Sequence, residues 1–188
     1  MLHALIALAL LAPPPVTPVD LPDVDQLAAA MTTIKPKIKG ARAIAGAAIE
    51  AGARYSVSPF FLLGVAYTES RWNVSVKAGD KGRSFGLYQM TLGVARAVDF
   101  AGVFEDKPGR KQITWALRDV WCANYIAAAY INRLRRKYGR AAMVVYNCGP
   151  VRCRQSSGKQ RKETPATRGY WRNYRKLKRA YKRIGNAK

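Results

Sequence analysis

Histidine is almost missing from these 188 residues: His3, inside an apolar N-terminal stretch, is the only one. A Ser-His-Asp or Cys-His nucleophile system needs a positioned imidazole, and an HExxH zinc site needs two, so both classes are excluded. Cysteine is scarce too. Cys122, Cys148 and Cys153 cannot close a four-ligand zinc site without a usable histidine, and no metal or other cofactor is expected. No Walker-type or GxGxxG loop occurs, and Asp and Glu total only 11. Catalysis is left to carboxylates, phenols and amides.

Long hydrophobic runs are also lacking. Leu2 to Leu11 is too short for a standard membrane span. It resembles the core of a secretory signal, but no Lys or Arg precedes it, and Pro13-Pro14-Pro15 stands where cleavage would fall. Residues 1–12 therefore read as a signal-like or anchoring segment of unusual form. Residues 13–40 read as a proline-rich linker and leading segment, extended at first and then helix-forming from Gln26 to Met31.

What is abundant is positive charge. Lys and Arg total 33, for a net charge of +22. An excess of this size points to a polyanionic partner: a cell wall, nucleic acid or an anionic membrane face. Apolar content is ordinary for a globular chain, and the length suits one domain with its own core.

The elements read as helices. Ala41 to Arg54 is rich in small helix formers. Ser58 is a good N-cap and Pro59 fits the first helical position of a buried helix that runs through Phe60-Phe61-Leu62-Leu63-Gly64-Val65-Ala66-Tyr67 towards Glu69. Lys77 to Gly86 is a loop, and Thr91 caps a short helix. From Thr114 to Tyr138, the positions Leu117, Val120, Trp121, Asn124, Ala128, Ile131, Leu134 and Tyr138 recur at helical spacing, with Gly139 as the stop. A brief helix over Ala141 to Val145 follows, then a polar loop from Val151 to Thr167. Tyr170, Tyr174, Leu177, Tyr181 and Ile184 step by four and three along one face of a last, strongly basic helix. Nothing reads as a sheet, so the fold class is mostly α, with a domain over 41–184.

Glu69 is the residue with chemistry to do. Leu62, Val65 and Ala66 lie one or two turns back on its face, and apolar company makes ionisation costly. A carboxyl still protonated near neutral pH can donate to a leaving oxygen. The competing reading is a glutamate at a helix end that swings into water. Trp72 and Tyr146, taken alone, read as core aromatics, and so do Trp115, Trp121 and Tyr125.

Several short motifs stand in a suggestive order: Glu69-Ser70, Trp72-Asn73, Gly86-Leu87-Tyr88-Gln89-Met90, Tyr146-Asn147-Cys148-Gly149-Pro150, and Glu163-Thr164 leading to Arg168 and Tyr170-Trp171. In this order they resemble the soluble lytic transglycosylase family, whose lysozyme-like domain is related to goose-type lysozyme. The resemblance runs from about Ala41 to Ile184. It implies a lysozyme-like transglycosylase domain that cleaves peptidoglycan between N-acetylmuramic acid and N-acetylglucosamine, with Glu69 as the acid and then the base. It further implies that Ser70, Gln89, Tyr146, Asn147 and Tyr170 line or support the sugar groove, and that Gly86 lets its loop approach the saccharide.

Glycosidases ordinarily use two carboxylates. The resemblance implies an exception, in which the substrate's acetamido group and 6-hydroxyl complete the reaction and leave a 1,6-anhydro end. The alternative is hydrolysis in the goose-type manner, with Asp80 as a second carboxylate. Val74 stands where the family commonly has Pro, Tyr88 where Met is frequent and Cys148 where Ala is. The expected partner is a peptidoglycan glycan strand, met in the periplasm, outside the cell or from a phage virion. A component of a phage particle or secretion machine that opens the wall locally is a second reading. From Val151 onward, 14 basic residues face the single acid Glu163. That surface suits an anionic wall, with nonspecific binding of another anionic polymer such as DNA as its rival.

Overall fold

A computed structural model of the chain describes residues 21–76, 83–98, 108–148 and 164–187. The N-terminal segment 1–12, Asp80, Gly149, Pro150, Cys153 and Glu163 lie outside these residues.

The described residues are mostly helical, as expected. They form α1 (Val24–Ile34), α2 (Ala41–Tyr55), α3 (Pro59–Ser70), α4 (Leu92–Ala97), α5 (Arg110–Arg118), α6 (Val120–Tyr138), α7 (Ala142–Cys148) and α8 (Pro165–Gly185). One element was not anticipated. Strands β1 (Ser84–Phe85) and β2 (Met90–Thr91) pair antiparallel around the Gly86–Gln89 turn. Two residues a side is too short for an alternation to register in sequence.

Helix α3 is the centre of the body. Its residues from Phe61 to Ala66 are all buried, so it is apolar on every side and packed on every side. Helix α8 lies along it, and α2 and α6 pack against one another nearby. The tyrosine and leucine face expected of α8 is its inner face, with Tyr170 and Leu177 fully buried. Each such side chain contributes about 1.5–3 kcal/mol relative to exposure.

Small residues allow these helices to close. A Cβ on Gly64 would stand 2.7 Å from the Tyr174 amide nitrogen and 3.0 Å from the Tyr170 carbonyl, so the α3–α8 crossing depends on its absence. Gly169 answers from the other side, where a Cβ would lie 3.1 Å from the Thr68 methyl.

Four details differ from the sequence reading. The packed body starts before residue 41: Leu27, Ala30 and Met31 of α1 are fully buried, and the Gln26 amide donates to the Tyr181 carbonyl (2.8 Å), tying the first helix to the last. The helix read from Thr114 to Tyr138 is two helices. Asp119 is extended and its carboxylate accepts from the Cys122 amide (2.8 Å), which starts α6 afresh. Ser58 precedes Pro59 at the start of α3 but makes no side-chain capping bond. Trp115 and Trp121 are 62% and 44% exposed and are not core residues. The sequence reading took both as packing aromatics, and the fold leaves each at the surface of its own helix.

Gly64→Ala tests the crossing. Alanine improves helix propensity by about 1 kcal/mol, whereas overpacking against backbone costs about 1–3 kcal/mol. Net destabilisation is expected, read as a lower urea midpoint; a higher midpoint would mean that α3 and α8 separate freely.

Candidate active site

The last turn of α3 is fixed from several directions before its carboxyl is considered. Ser70 is buried and its hydroxyl donates to the Ala66 carbonyl (2.9 Å). Arg71 and Trp72 turn the chain with positive φ, and the Trp72 indole donates to the Leu63 carbonyl (2.8 Å). Lys35 donates to the Arg71 carbonyl (2.6 Å). Trp72, only 3% exposed, is a core aromatic as the plain reading of the sequence has it.

Glu69 projects from this turn, partly buried, into a group of phenols. The Tyr170 hydroxyl donates to its Oε1. The Asn147 side chain hydrogen-bonds the Tyr170 hydroxyl and also accepts from the Thr164 hydroxyl (3.2 Å). The Tyr146 ring meets Tyr170 edge-on at 6.0 Å and Tyr130 at 5.7 Å, and its hydroxyl donates to the Tyr88 carbonyl (3.0 Å). Tyr88, buried, donates in turn to the Asn124 amide oxygen (2.6 Å), whose Nδ2 donates to the Val120 carbonyl (2.8 Å). The hairpin loop, α6, α7 and α8 are thereby joined around one carboxyl.

The electrostatics follow from this setting. Desolvation raises the Glu69 pKa above its ordinary 4.5, and the Tyr170 hydrogen bond partly opposes the rise. Burial drives the pKa of Tyr170, Tyr146 and Tyr88 upward, and for the first two the Glu69 charge adds to it. The phenols stay protonated and act as donors, while the carboxyl gains and loses the proton.

The other described carboxylates have different occupations. Asp23 caps α1, Asp25 pairs with Arg42 at 2.7 Å, Glu50 accepts from Tyr125, and Asp119 caps α6. Among the described residues, Glu69 alone faces the tyrosine group. No cluster of potential metal ligands occurs among them.

Some sequence assignments change. Gly86 adopts φ +69, and a Cβ there would sit 1.6 Å from the Leu117 carbonyl oxygen. Its missing side chain serves the seating of the loop on α5, a demand separate from the expected approach of the loop to a saccharide. The Ser70 hydroxyl is turned into its own helix and away from any groove. Gln89 is partly buried at φ +46 and donates to the Gly86 carbonyl (3.0 Å), while Asn147 is exposed beside Tyr170. The supports that sequence reading missed are Asn124 and the hydroxyl of Tyr88. An amide in the apolar stripe of α6 is the signal that could have found the first.

Two outcomes are expected. Replacing Tyr170 by Phe removes the donor that favours the carboxylate, so the Glu69 pKa should rise further, as read by NMR titration of its side chain. The folded state holds the Glu69 proton more tightly than the unfolded chain, so this group costs stability as pH rises from about 4.5 through its raised folded value. Glu69→Gln should therefore be more stable than the parent at pH 7. The gap in melting temperature should close below pH 4.5; an unchanging gap would mean that the carboxyl is not desolvated.

The Transglycosylase SLT domain family matches the chain over residues 46–168, well over half of its length. No curated protein and no solved structure gives a significant match.

Proposed function

Because the chain belongs to the transglycosylase SLT domain family, the lytic transglycosylases of the lysozyme-like superfamily, we propose that it cleaves the β-1,4 bond between N-acetylmuramic acid and N-acetylglucosamine with Glu69 as its single acid and base. Family membership carries a transglycosylase-type action on peptidoglycan in general. The residue, the steps and the product are our reading. The observation that carries it is a half-buried carboxyl, held up in pKa, set among phenols and amides with no second carboxyl beside it among the described residues.

In the first step the neutral Glu69 gives its proton to the glycosidic oxygen as the C–O bond breaks. The substrate's acetamido oxygen supports the anomeric carbon, which explains how one carboxylate can suffice where two are usual. Glu69, now a carboxylate, then takes the proton of the muramic acid 6-hydroxyl as that oxygen attacks the anomeric carbon. The 1,6-anhydro end forms, Glu69 recovers its proton and no water is consumed. Tyr170 donates to the carboxylate between the two steps, when the charge most needs a partner. Tyr146 holds the hairpin against α7, while Gln89 and Asn147 offer amides at the groove.

Hydrolysis would need a second carboxylate to activate water, and the described residues bring none to Glu69. Asp80 lies outside them. The net charge of +22 favours attraction to an anionic wall, whether the chain acts alone, in the periplasm or outside the cell, or within a phage or secretion assembly that opens the wall locally.

Mass analysis of fragments released from purified peptidoglycan tests this reading. Anhydro ends, one water lighter than hydrolysis products, are expected. Glu69→Gln should lower turnover at least about a thousandfold, since acid and base are lost together, with the helical circular dichroism unchanged. Retained activity in that variant, or reducing ends throughout, would refute it.

A further inference from the structure

Helix α8 has two sides of opposite character. Tyr170 and Leu177 are fully buried on the inner one. On the outer one Arg168, Arg172, Arg175, Arg179 and Arg183 step by four, three, four and four, and all are exposed. At 3.6 residues per turn they share an arc of about 80° along about 22 Å of helix. Lys176, Lys178 and Lys182 flank the row, and the helix holds no Asp or Glu. Arg175 donates to the Trp171 carbonyl (3.3 Å). Arg172, Arg179 and Arg183 make no hydrogen bond or ion pair among the described residues, where the only ion pair is Arg42–Asp25.

Such a row works against the helix that carries it. Like charges three or four residues apart repel along a helix. The helix dipole favours cations in the last turn, which accounts for Lys182 and Arg183, but it disfavours Arg168 in the first. Packing does not require arginine at any of these exposed positions. What the row provides is a straight file of guanidinium groups, each able to take a phosphate with paired hydrogen bonds.

We propose that this row binds duplex DNA without regard to sequence. Three other polyanionic surfaces fit it less well. A membrane takes an amphipathic helix by its apolar face, and α8 already uses that face against α3. A single strand needs a series of aromatic rings for its bases, and of the α8 aromatics only Trp171 is exposed. A flexible wall polymer loses chain freedom when it lies along a straight helix. Duplex DNA is stiff, and it carries one phosphate charge per about 1.7 Å of axis, with condensed counterions that binding releases. A file one residue wide follows one phosphate backbone, so these contacts carry no sequence information. The row lies opposite the side of α8 from which Tyr170 reaches Glu69, so DNA and glycan can be held together. Binding there does not depend on the glycan-cleaving activity.

Fluorescence anisotropy of the full chain with a labelled duplex of about 20 base pairs, from about 50 to 200 mM salt, tests this. Log K against log salt should have a slope of about −4.5 if five phosphates are neutralised. Arg172→Gln/Arg179→Gln removes two contacts, so the slope should shrink to about −2.7 and the low-salt affinity should drop at least about tenfold. Lys37→Gln/Lys39→Gln takes the same charge from exposed side chains outside α8 and should stay within about twofold of the parent. Circular dichroism checks the fold of both variants, and loss of like-charge neighbours should favour the α8 helix. A second duplex of unrelated sequence should bind as the first does. Equal losses in the two variants would mean that net charge alone acts, and would overturn the row as a site. So would no binding at the lowest salt, or tighter binding of poly(glycerol phosphate) or of phosphatidylglycerol vesicles at equal phosphate concentration, which would point to a wall polymer or a membrane. No glycan enters the assay, so its outcome is separate from that of the cleavage experiment.

Discussion

The close crossing of α3 and α8 at Gly64 and Gly169 is the constraint from which the rest of the molecule follows. At Gly64 the α8 backbone comes within contact distance of α3, and at Gly169 the Thr68 side chain of α3 takes up the space that a Cβ would fill. Tyr170 reaches the end of α3 that bears Glu69, and Tyr181 packs on Phe60 at its start, so the helices run in opposite directions. One further Cβ would push α8 outward and take the Tyr170 hydroxyl away from the carboxyl. Packing and chemistry thus rest on the same few contacts.

A buried acid is a cost to the fold, and the surroundings show where that cost is offset. The carboxyl retains one strong donor, Tyr170, while α3 behind it is apolar throughout. Tyr146 is committed to a backbone carbonyl and Tyr88 to Asn124, whereas the buried Tyr130 hydroxyl beside them has no partner among the described residues. Local stability is surrendered at one side chain and recovered in the hydrogen-bonded shell around it, the usual compromise of a site built to hold a perturbed group.

Much of this was legible in the sequence, for reasons that differ by residue. The four-and-three stepping of Tyr170, Tyr174, Leu177, Tyr181 and Ile184 gave the inner face of α8 because helix periodicity is a local property. Glu69 could be singled out from its apolar helix, but its actual neighbours could not. Tyr170 is 101 positions away, and only the folded chain brings it to Oε1. Leu62, Val65 and Ala66 lie behind the acid on its own helix, whereas the group that meets its carboxyl is a phenol from another helix. The break at Asp119 was hidden because apolar spacing continues across it, although an aspartate before Val120 is a plausible cap. At Gly86 the fold shows a demand that no local pattern announces, the Leu117 carbonyl against which a Cβ would clash.

The Tyr146–Tyr88–Asn124 relay has a consequence for the range of conditions in which the site keeps its shape. Its links are phenols, an amide and main-chain carbonyls, none of which exchanges a proton between mild acid and mild alkali. Acidification therefore does not break the links of this relay, and of the groups that meet in it only the central carboxyl responds. Wherever the local proton concentration differs from that of the bulk solution, this frame stays unaltered while one carboxyl registers the change.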